Sequence, residues 1–222
     1  MNTPAPASAR APMYIELAAP SPPAAGSAGA VLRDYLSVLA WYFEAGGAAR
    51  TADAVGQAFA NLPGLVMQGS TRYADQVKVP PGSQAGSRSL AGLLAGAWGV
   101  VSQAARLSAL TGPVVAGAKS APEGSAPGAE PGVPLIVLQR PRGDVPLLGY
   151  MALQVSWSAA PEAGNAWPSS PQRLLSVAWT STTYALADAQ SDAATRFVAQ
   201  MRAQGRRADL SKTAGVLAIP LS

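Results

Sequence analysis

The side chains that could do chemistry are limited to carboxylates, hydroxyls, lysines and arginines, because the chain contains no cysteine and no histidine. This composition excludes disulfides, thiolate nucleophiles, zinc sites built from cysteine or histidine, and serine–histidine catalytic pairs. The sequence also lacks a phosphate-binding P-loop, a glycine-rich dinucleotide loop and a GxSxG nucleophile elbow. We therefore predict no catalytic residues, no cofactor and no metal, and the sequence leans against an enzyme without settling the question.

A basic cluster near the C-terminus is the other feature that could bind a ligand. Cations in the last turn of a helix complement the helix dipole, which gives them a structural explanation. The alternative is contact with an anion. Nucleic-acid binding is weakly supported, because no aromatic side chains that could stack on bases are interleaved with the cations. The candidates for an anion contact are Arg202, Arg206, Arg207 and Lys212.

Hydrophobic periodicity predicts helices over 28–45, 51–60 and 191–204. In the first of these the apolar side chains fall on one broad face, and Trp41 lies at its polar border. We expect Thr51 and Ser191 to cap the N-termini of the second and third helices. The face of the first helix that should contact water carries Arg33, Ser37, Ala40 and Glu44.

A fourth helix, over 90–112, is expected to have a bulky stripe and a nearly smooth groove. Gly92, Gly96 and Gly99 share the groove side. Each internal glycine costs about 1 kcal/mol relative to alanine, so we expect a compensating close approach by another backbone. A central helix covered on both faces is the preferred interpretation, and membrane insertion after a conformational change is the alternative.

Strand patterns dominate the C-terminal part of the chain. We expect 61–87 to be mostly loop, with a short strand near 73–79. The run at 134–139 is continuously apolar, as in a strand buried on both faces. The segments 147–158 and 173–186 alternate between apolar and polar residues, and we predict that they are neighbouring antiparallel strands. Shorter strands are expected at 13–17 and, at a sheet edge, within 215–222.

The polar face of the two alternating strands is unusual because it carries amides and hydroxyls instead of charges. Exposed sheet surfaces normally carry charged side chains, which discourage edge pairing. A helix of the same chain could cover this face, another protein could bind it, or it could line the lumen of a membrane-inserted hairpin. The candidate partner surface comprises Trp41, Gly92, Gly96, Gly99, Gln154, Ser156, Ser158, Ser176, Thr180 and Thr182.

These elements predict an α+β fold, in which helices pack on one face of a mainly antiparallel sheet. We expect a single domain with a helical N-terminal half and a strand-rich C-terminal half. Its parts would be a Pro/Ala-rich arm and loop (1–29), the helical half (30–118), a flexible Pro/Gly loop (119–133) and the strand-rich half with a C-terminal helix (134–222).

Low charge is the main clue to function. Charged residues make up 13% of the chain, about half the usual share, so part of the outer surface should meet something other than water. This favours a non-catalytic structural or adaptor subunit of a virion or secretion machine, whose partners are other subunits or copies of itself. The alternative is a membrane-active, pore-forming protein that inserts 90–112 or the 147–186 hairpin when triggered. Without a visible signal peptide or clear transmembrane helix, we expect the protein in the cytoplasm or within an assembled particle.

Overall fold

The computed structural model describes residues 13–17, 24–48, 51–79, 92, 133–142, 145–159, 173–188, 191–210 and 215–217. Residues 1–12 and 18–23 of the predicted arm and loop, and most of the predicted loop at 119–133, lie outside these residues. So does the helix predicted over 90–112, except for Gly92, which is helical. In chain order the elements are β1 (Met13–Leu17), α1 (Ala28–Glu44), α2 (Ala52–Ala60), β2 (Leu65–Val79), β3 (Val133–Arg142), β4 (Val145–Ala159), β5 (Arg173–Leu186), α3 (Asp192–Ala203) and β6 (Gly215–Leu217).

The strands form one sheet of six, in the order β2-β5-β4-β3-β1-β6. Every neighbouring pair is antiparallel except β1 and β3, which run parallel. The predicted α+β class is therefore confirmed. The predicted pairing of β4 with β5 is also confirmed, as is the edge position of the last strand, β6.

Strand β2 is much longer than the short strand predicted near 73–79. It spans 15 residues and pairs with β5 along nearly its whole length. The prediction failed because β2 shows no regular alternation of apolar and polar residues. Two features explain this: β2 lies at the edge of the sheet, and its register shifts between Met67 and Gly69.

The helices lie on one face of the sheet and enclose the core. Tyr35, Leu36 and Phe43 of α1 are fully buried together with Phe59 of α2 and Leu148 of β4. The ring of Tyr35 meets the edge of the Phe197 ring of α3, with ring centroids 5.7 Å apart. The helical layer therefore unites elements from both ends of the chain.

The predicted water-facing side of α1 is wrong for Ser37 and Ala40, which are both buried. The segment after α3 covers them. The Ser37 hydroxyl donates a hydrogen bond to the carbonyl oxygen of Ala208, and the Ala208 amide donates to the Ser37 carbonyl oxygen at 3.0 Å. Small side chains at these positions make room for a second chain segment, so they belong to an interface inside the molecule.

The helix ends largely follow the predicted caps. Thr51 accepts a hydrogen bond from the Ala54 amide at 3.2 Å, as expected of an N-cap. Ser191 stands at the N-cap of α3, but its side chain makes no capping hydrogen bond. Gly205 follows α3 with a φ of 66°, a left-handed conformation that glycine adopts without steric cost. None of the helices in the described part of the chain is both long and apolar enough to cross a membrane.

Candidate functional site

The predicted amide and hydroxyl face is continuous across three strands, and β2 extends it. Side chains directly opposite one another in an antiparallel pair lie on the same face of the sheet. The register therefore brings residues of β2 beside the predicted residues of β5 and β4. The pairs are Ser70 with Thr182, Arg72 with Thr180, Ala74 with Ala178 and Gln76 with Ser176, followed by Ala152 with Thr180 and Gln154 with Ala178.

Helix α2 covers one end of this face. The Phe59 ring packs against Tyr150 and Tyr184, with ring centroids 5.1 Å and 5.2 Å away. A Cβ atom built at Gly56 would lie 3.1 Å from the Tyr150 hydroxyl, so a glycine at this position permits the close approach of α2. Thr182 is consequently buried and lies 3.4 Å from the Ser70 hydroxyl. At this end the chain itself covers the polar face.

The other end of the face is an open cleft between α2 and the three strands. One cavity, of about 660 Å³, has walls that include Asp53 of α2 and Arg72 of β2, while Tyr150, Gln154 and Thr180 line its sheet side. A second cavity, of about 520 Å³, continues along the same strands. The two cavities share Ala74, Gln154 and Ala178. We call this joint space the β2–α2 cleft.

The shift in register within β2 determines which of its residues face the cleft. Leu65 pairs with Leu186 before the shift, whereas Ser70 pairs with Thr182 after it. Odd-numbered residues before the shift and even-numbered residues after it therefore lie on the helix-covered side. As a result Leu65 packs against the core and Arg72 lines the cleft on the same side of the sheet.

The remaining predicted partner residues differ in their exposure. Ser176 and Thr180 are half-buried in β5, and Gln154 of β4 is exposed. Ser156 and Ser158 belong to β4, but their side chains lie outside the described part of the structure. Gly92 is exposed, and no described atom lies within 4 Å of a Cβ built there. The expected close approach of another backbone is therefore not found at Gly92, and Gly96 and Gly99 lie outside the described residues.

The predicted anion contact lies against α1. Asp34 forms an ion pair with Arg207, and the Arg202 guanidinium lies 3.9 Å from the same carboxylate. The Arg206 guanidinium carbon lies 5.7 Å from the centre of the Trp41 ring, within the range of a cation–π contact. An external anion would have to compete with Asp34 for Arg202 and Arg207. Lys212 lies outside the described residues.

The outer edge of the sheet, formed by β2, is the second notable surface. The large apolar side chains that are most exposed in the described structure are Tyr42, Val66, Met67 and Tyr73, and all but Tyr42 belong to β2. The Tyr73 ring stacks on Trp179 with ring centroids 4.0 Å apart. Its hydroxyl donates to the Asp75 carboxylate at 2.9 Å, and this hydrogen bond raises the pKa of Tyr73.

Comparison with known proteins supplies no function for this arrangement. No protein-family model matches the chain, and no curated protein matches it in sequence. The described residues contain no group of three or more acidic side chains that could bind a metal ion. Functional inference for this chain therefore depends on the cleft and on the outer edge of β2, which pairs with no further strand in the described part of the chain.

No local sequence pattern marks Asp53 and Arg72 as members of one site. They belong to a helix and a strand whose relative placement depends on the register of β2. The capping position of Thr51 predicted the start of α2, and with it the position of Asp53 in the first helical turn. Nothing in the local pattern of β2 predicted which side of the sheet Arg72 would take.

Proposed function

We propose that this chain is a non-catalytic subunit of a larger protein assembly and that copies of it associate through the free edge of β2. The observation that carries the proposal is the strand itself. It has 15 residues, lies at the edge of the sheet and exposes Val66, Met67 and Tyr73. An assembly of virion or secretion-machine type is the kind of role that this surface fits.

An unpaired edge strand presents a row of amide and carbonyl groups that another strand can satisfy. The opposite edge of the sheet, β6, has only three residues and offers little length for pairing. Two copies can therefore obtain the most hydrogen bonds by pairing β2 with β2. Such a contact is self-complementary and gives a closed two-fold dimer.

Charge favours an antiparallel arrangement of the two strands. The N-terminal part of β2, 65–71, carries no charge, whereas Arg72, Asp75 and Lys78 follow it. A parallel pair in register would place each of these charges beside its own copy, and like charges directly opposite one another are destabilising. An antiparallel pair centred on the uncharged part moves the identical charges apart.

Size-exclusion chromatography with light scattering tests the proposal. We expect the full chain to form a dimer or larger assembly at high micromolar concentration. The substitutions Val66→Lys and Met67→Lys should shift it towards the monomer, because lysines on an edge strand oppose pairing. Tyr42→Lys is the matched control, because Tyr42 is also large, apolar and exposed but lies on α1.

A wild-type chain that stays monomeric at every concentration would contradict the proposal. Equal dissociation by Tyr42→Lys and by the β2 variants would also contradict it, since the contact would then not be specific to the edge.

The membrane-active alternative is less well supported by the fold. Strands β4 and β5 are both interior strands, with β3 and β2 as their outer neighbours. Insertion of this hairpin into a bilayer would require both outer pairings to break. The insertion hypothesis stays a prediction, and dye release from liposomes is its direct measurement.

A further inference from the structure

The larger cavity of the β2–α2 cleft is lined by one cation and one anion that do not pair with each other, while Asp75, which accepts a hydrogen bond from Tyr73, lines the smaller cavity. Asp53 and Arg72 are both exposed and both line the larger cavity. The ion pairs found among the described residues are those that Asp34 makes with Arg202 and Arg207. No hydrogen bond from another described side chain reaches either the Asp53 carboxylate or the Arg72 guanidinium. Both groups are therefore free to bind a ligand.

We propose that this cleft binds a short oligopeptide with free termini. Its C-terminal carboxylate would bind the Arg72 guanidinium, and its N-terminal ammonium would lie against the Asp53 carboxylate. A guanidinium matches a carboxylate with two parallel hydrogen bonds, which makes arginine well suited to this group. The two unpaired charges of opposite sign favour a ligand that carries both a cation and an anion. A ligand with a single charge would leave either Asp53 or Arg72 without a partner.

The floor of the cleft fits peptide groups. Gln154 supplies a carboxamide, which both donates and accepts hydrogen bonds, and Thr180 and Tyr150 supply hydroxyls. Between them Ala152 and Ala178 leave space above the sheet. The volume of about 660 Å³ lies in the usual range of small-molecule sites, roughly 300 to 1,000 Å³.

This site and the contact proposed for assembly share β2 but use different groups. The cleft uses the Arg72 side chain, whereas assembly uses the backbone amides and carbonyls of the outer edge of β2. Peptide binding therefore does not rest on the proposed function, and either can fail without the other.

Isothermal titration calorimetry with trialanine tests the inference. The comparison peptides are trialanine amide, N-acetyl-trialanine and N-acetyl-trialanine amide, which lack the carboxylate, the ammonium and both charges. We expect trialanine to bind best and each single block to weaken binding by about tenfold or more, since hydrogen bonds to charged groups are stronger than neutral ones. The doubly blocked peptide should bind weakest.

Variants assign each terminus to its partner. Arg72→Gln should bind trialanine and its amide with equal affinity, because the group that distinguishes them is gone. Asp53→Asn should likewise cease to distinguish trialanine from its acetylated form. Arg33→Gln is the control, because Arg33 lines neither cavity, and it should keep the full preference for free termini.

Three results would overturn the inference. One is the absence of trialanine binding at millimolar concentration, and another is equal binding of free and blocked peptides to the wild-type chain. The third is an Arg72→Gln variant that is folded by circular dichroism and still prefers the free carboxylate.

Discussion

Tyr35 connects α1 to the chain after α2 through a single hydroxyl. The ring is fully buried, and the hydroxyl donates to the carbonyl oxygen of Pro63 at 2.6 Å. Burial raises the pKa of Tyr35 from 10.0 to about 12, because the charged phenolate is poorly solvated in the core. The same residue therefore contributes packing, a hydrogen bond and a dependence of stability on pH.

We predict that the contribution of the Tyr35 hydroxyl to stability is complete below about pH 10 and declines between about pH 10 and 12. In that interval the unfolded chain releases a proton that the folded chain retains, so unfolding becomes easier. Urea denaturation of the wild type and of Tyr35→Phe at about pH 8 and about pH 11 measures this. The wild type should be more stable by about 1 kcal/mol at the lower pH, and the difference should shrink at the higher pH.

Comparing the wild type with Tyr35→Phe removes the contribution of the other tyrosines to the pH dependence of stability. Burial also raises the pKa of Tyr184, but Tyr184 is present in both. A stability difference between the two proteins that does not change with pH would contradict the prediction.

Arg207 and Asp34 show that part of the basic cluster has a partner within the chain. Their side chains retain only 28% and 23% exposure, so much of the charge is withdrawn from solvent by the ion pair. From the sequence, the spacing of Arg202, Arg206 and Arg207 fits either the end of a helix or an anion contact. The partner, Asp34, lies more than 160 residues earlier in the chain, and no local pattern connects the two.

At the scale of the elements, α2 is the helix that shapes the cleft. It is short, and its buried side includes Val55 and Phe59, of which the Phe59 ring packs against Tyr150 and Tyr184. Asp53 lies in the first turn of the same helix, six residues before Phe59. The packing of this buried side therefore positions an acidic wall of the cleft.

We predict that Phe59→Ala lowers the free energy of unfolding by about 3 to 5 kcal/mol, through lost burial and an unfilled cavity. Phe59→Leu, which keeps most of the volume, should cost less than about 1.5 kcal/mol. Urea denaturation monitored by circular dichroism measures both changes. Equal losses for the two variants would show that cavity volume does not determine the effect.

Elements with strong periodicity were predictable, and elements defined by their neighbours were not. The helices α1, α2 and α3 and the strands β4 and β5 were predicted within about two residues, as expected where one face is regularly apolar. Strand β2 was missed over 65–72 because a shift in its register interrupts its alternation. The buried side of α1 at Ser37 and Ala40 was missed because small residues carry little hydrophobic signal. The cleft could not be predicted because its shape depends on where α2 packs on the sheet. It also depends on the register of β2, which determines the side of the sheet on which Arg72 lies.

At the scale of the whole molecule, the distribution of surface types is uneven. Charged residues make up only 13% of the chain, and three of the most exposed large apolar side chains lie on one edge strand. The opposite edge strand is very short. Such asymmetry favours a single preferred direction of association over unspecific aggregation at both edges.

We predict that the melting temperature rises with protein concentration, because association stabilises the folded state by mass action. Differential scanning calorimetry over a hundredfold range of concentration measures the effect. Val66→Lys should melt at the same temperature throughout that range. A wild-type chain whose melting temperature is independent of concentration would argue against association.

The contact between Ser37 and Ala208 joins residues 171 positions apart, and this separation has a consequence for biosynthesis. A ribosome adds about 5 to 20 residues per second, so α1 emerges roughly 10 to 30 seconds before the segment that covers it. During that interval Ser37 and Ala40 lack the segment that buries them in the native fold. The nascent chain therefore buries Ser37 and Ala40 only after Ala208 has been synthesised, and slow codons between α1 and that segment would prolong their exposure.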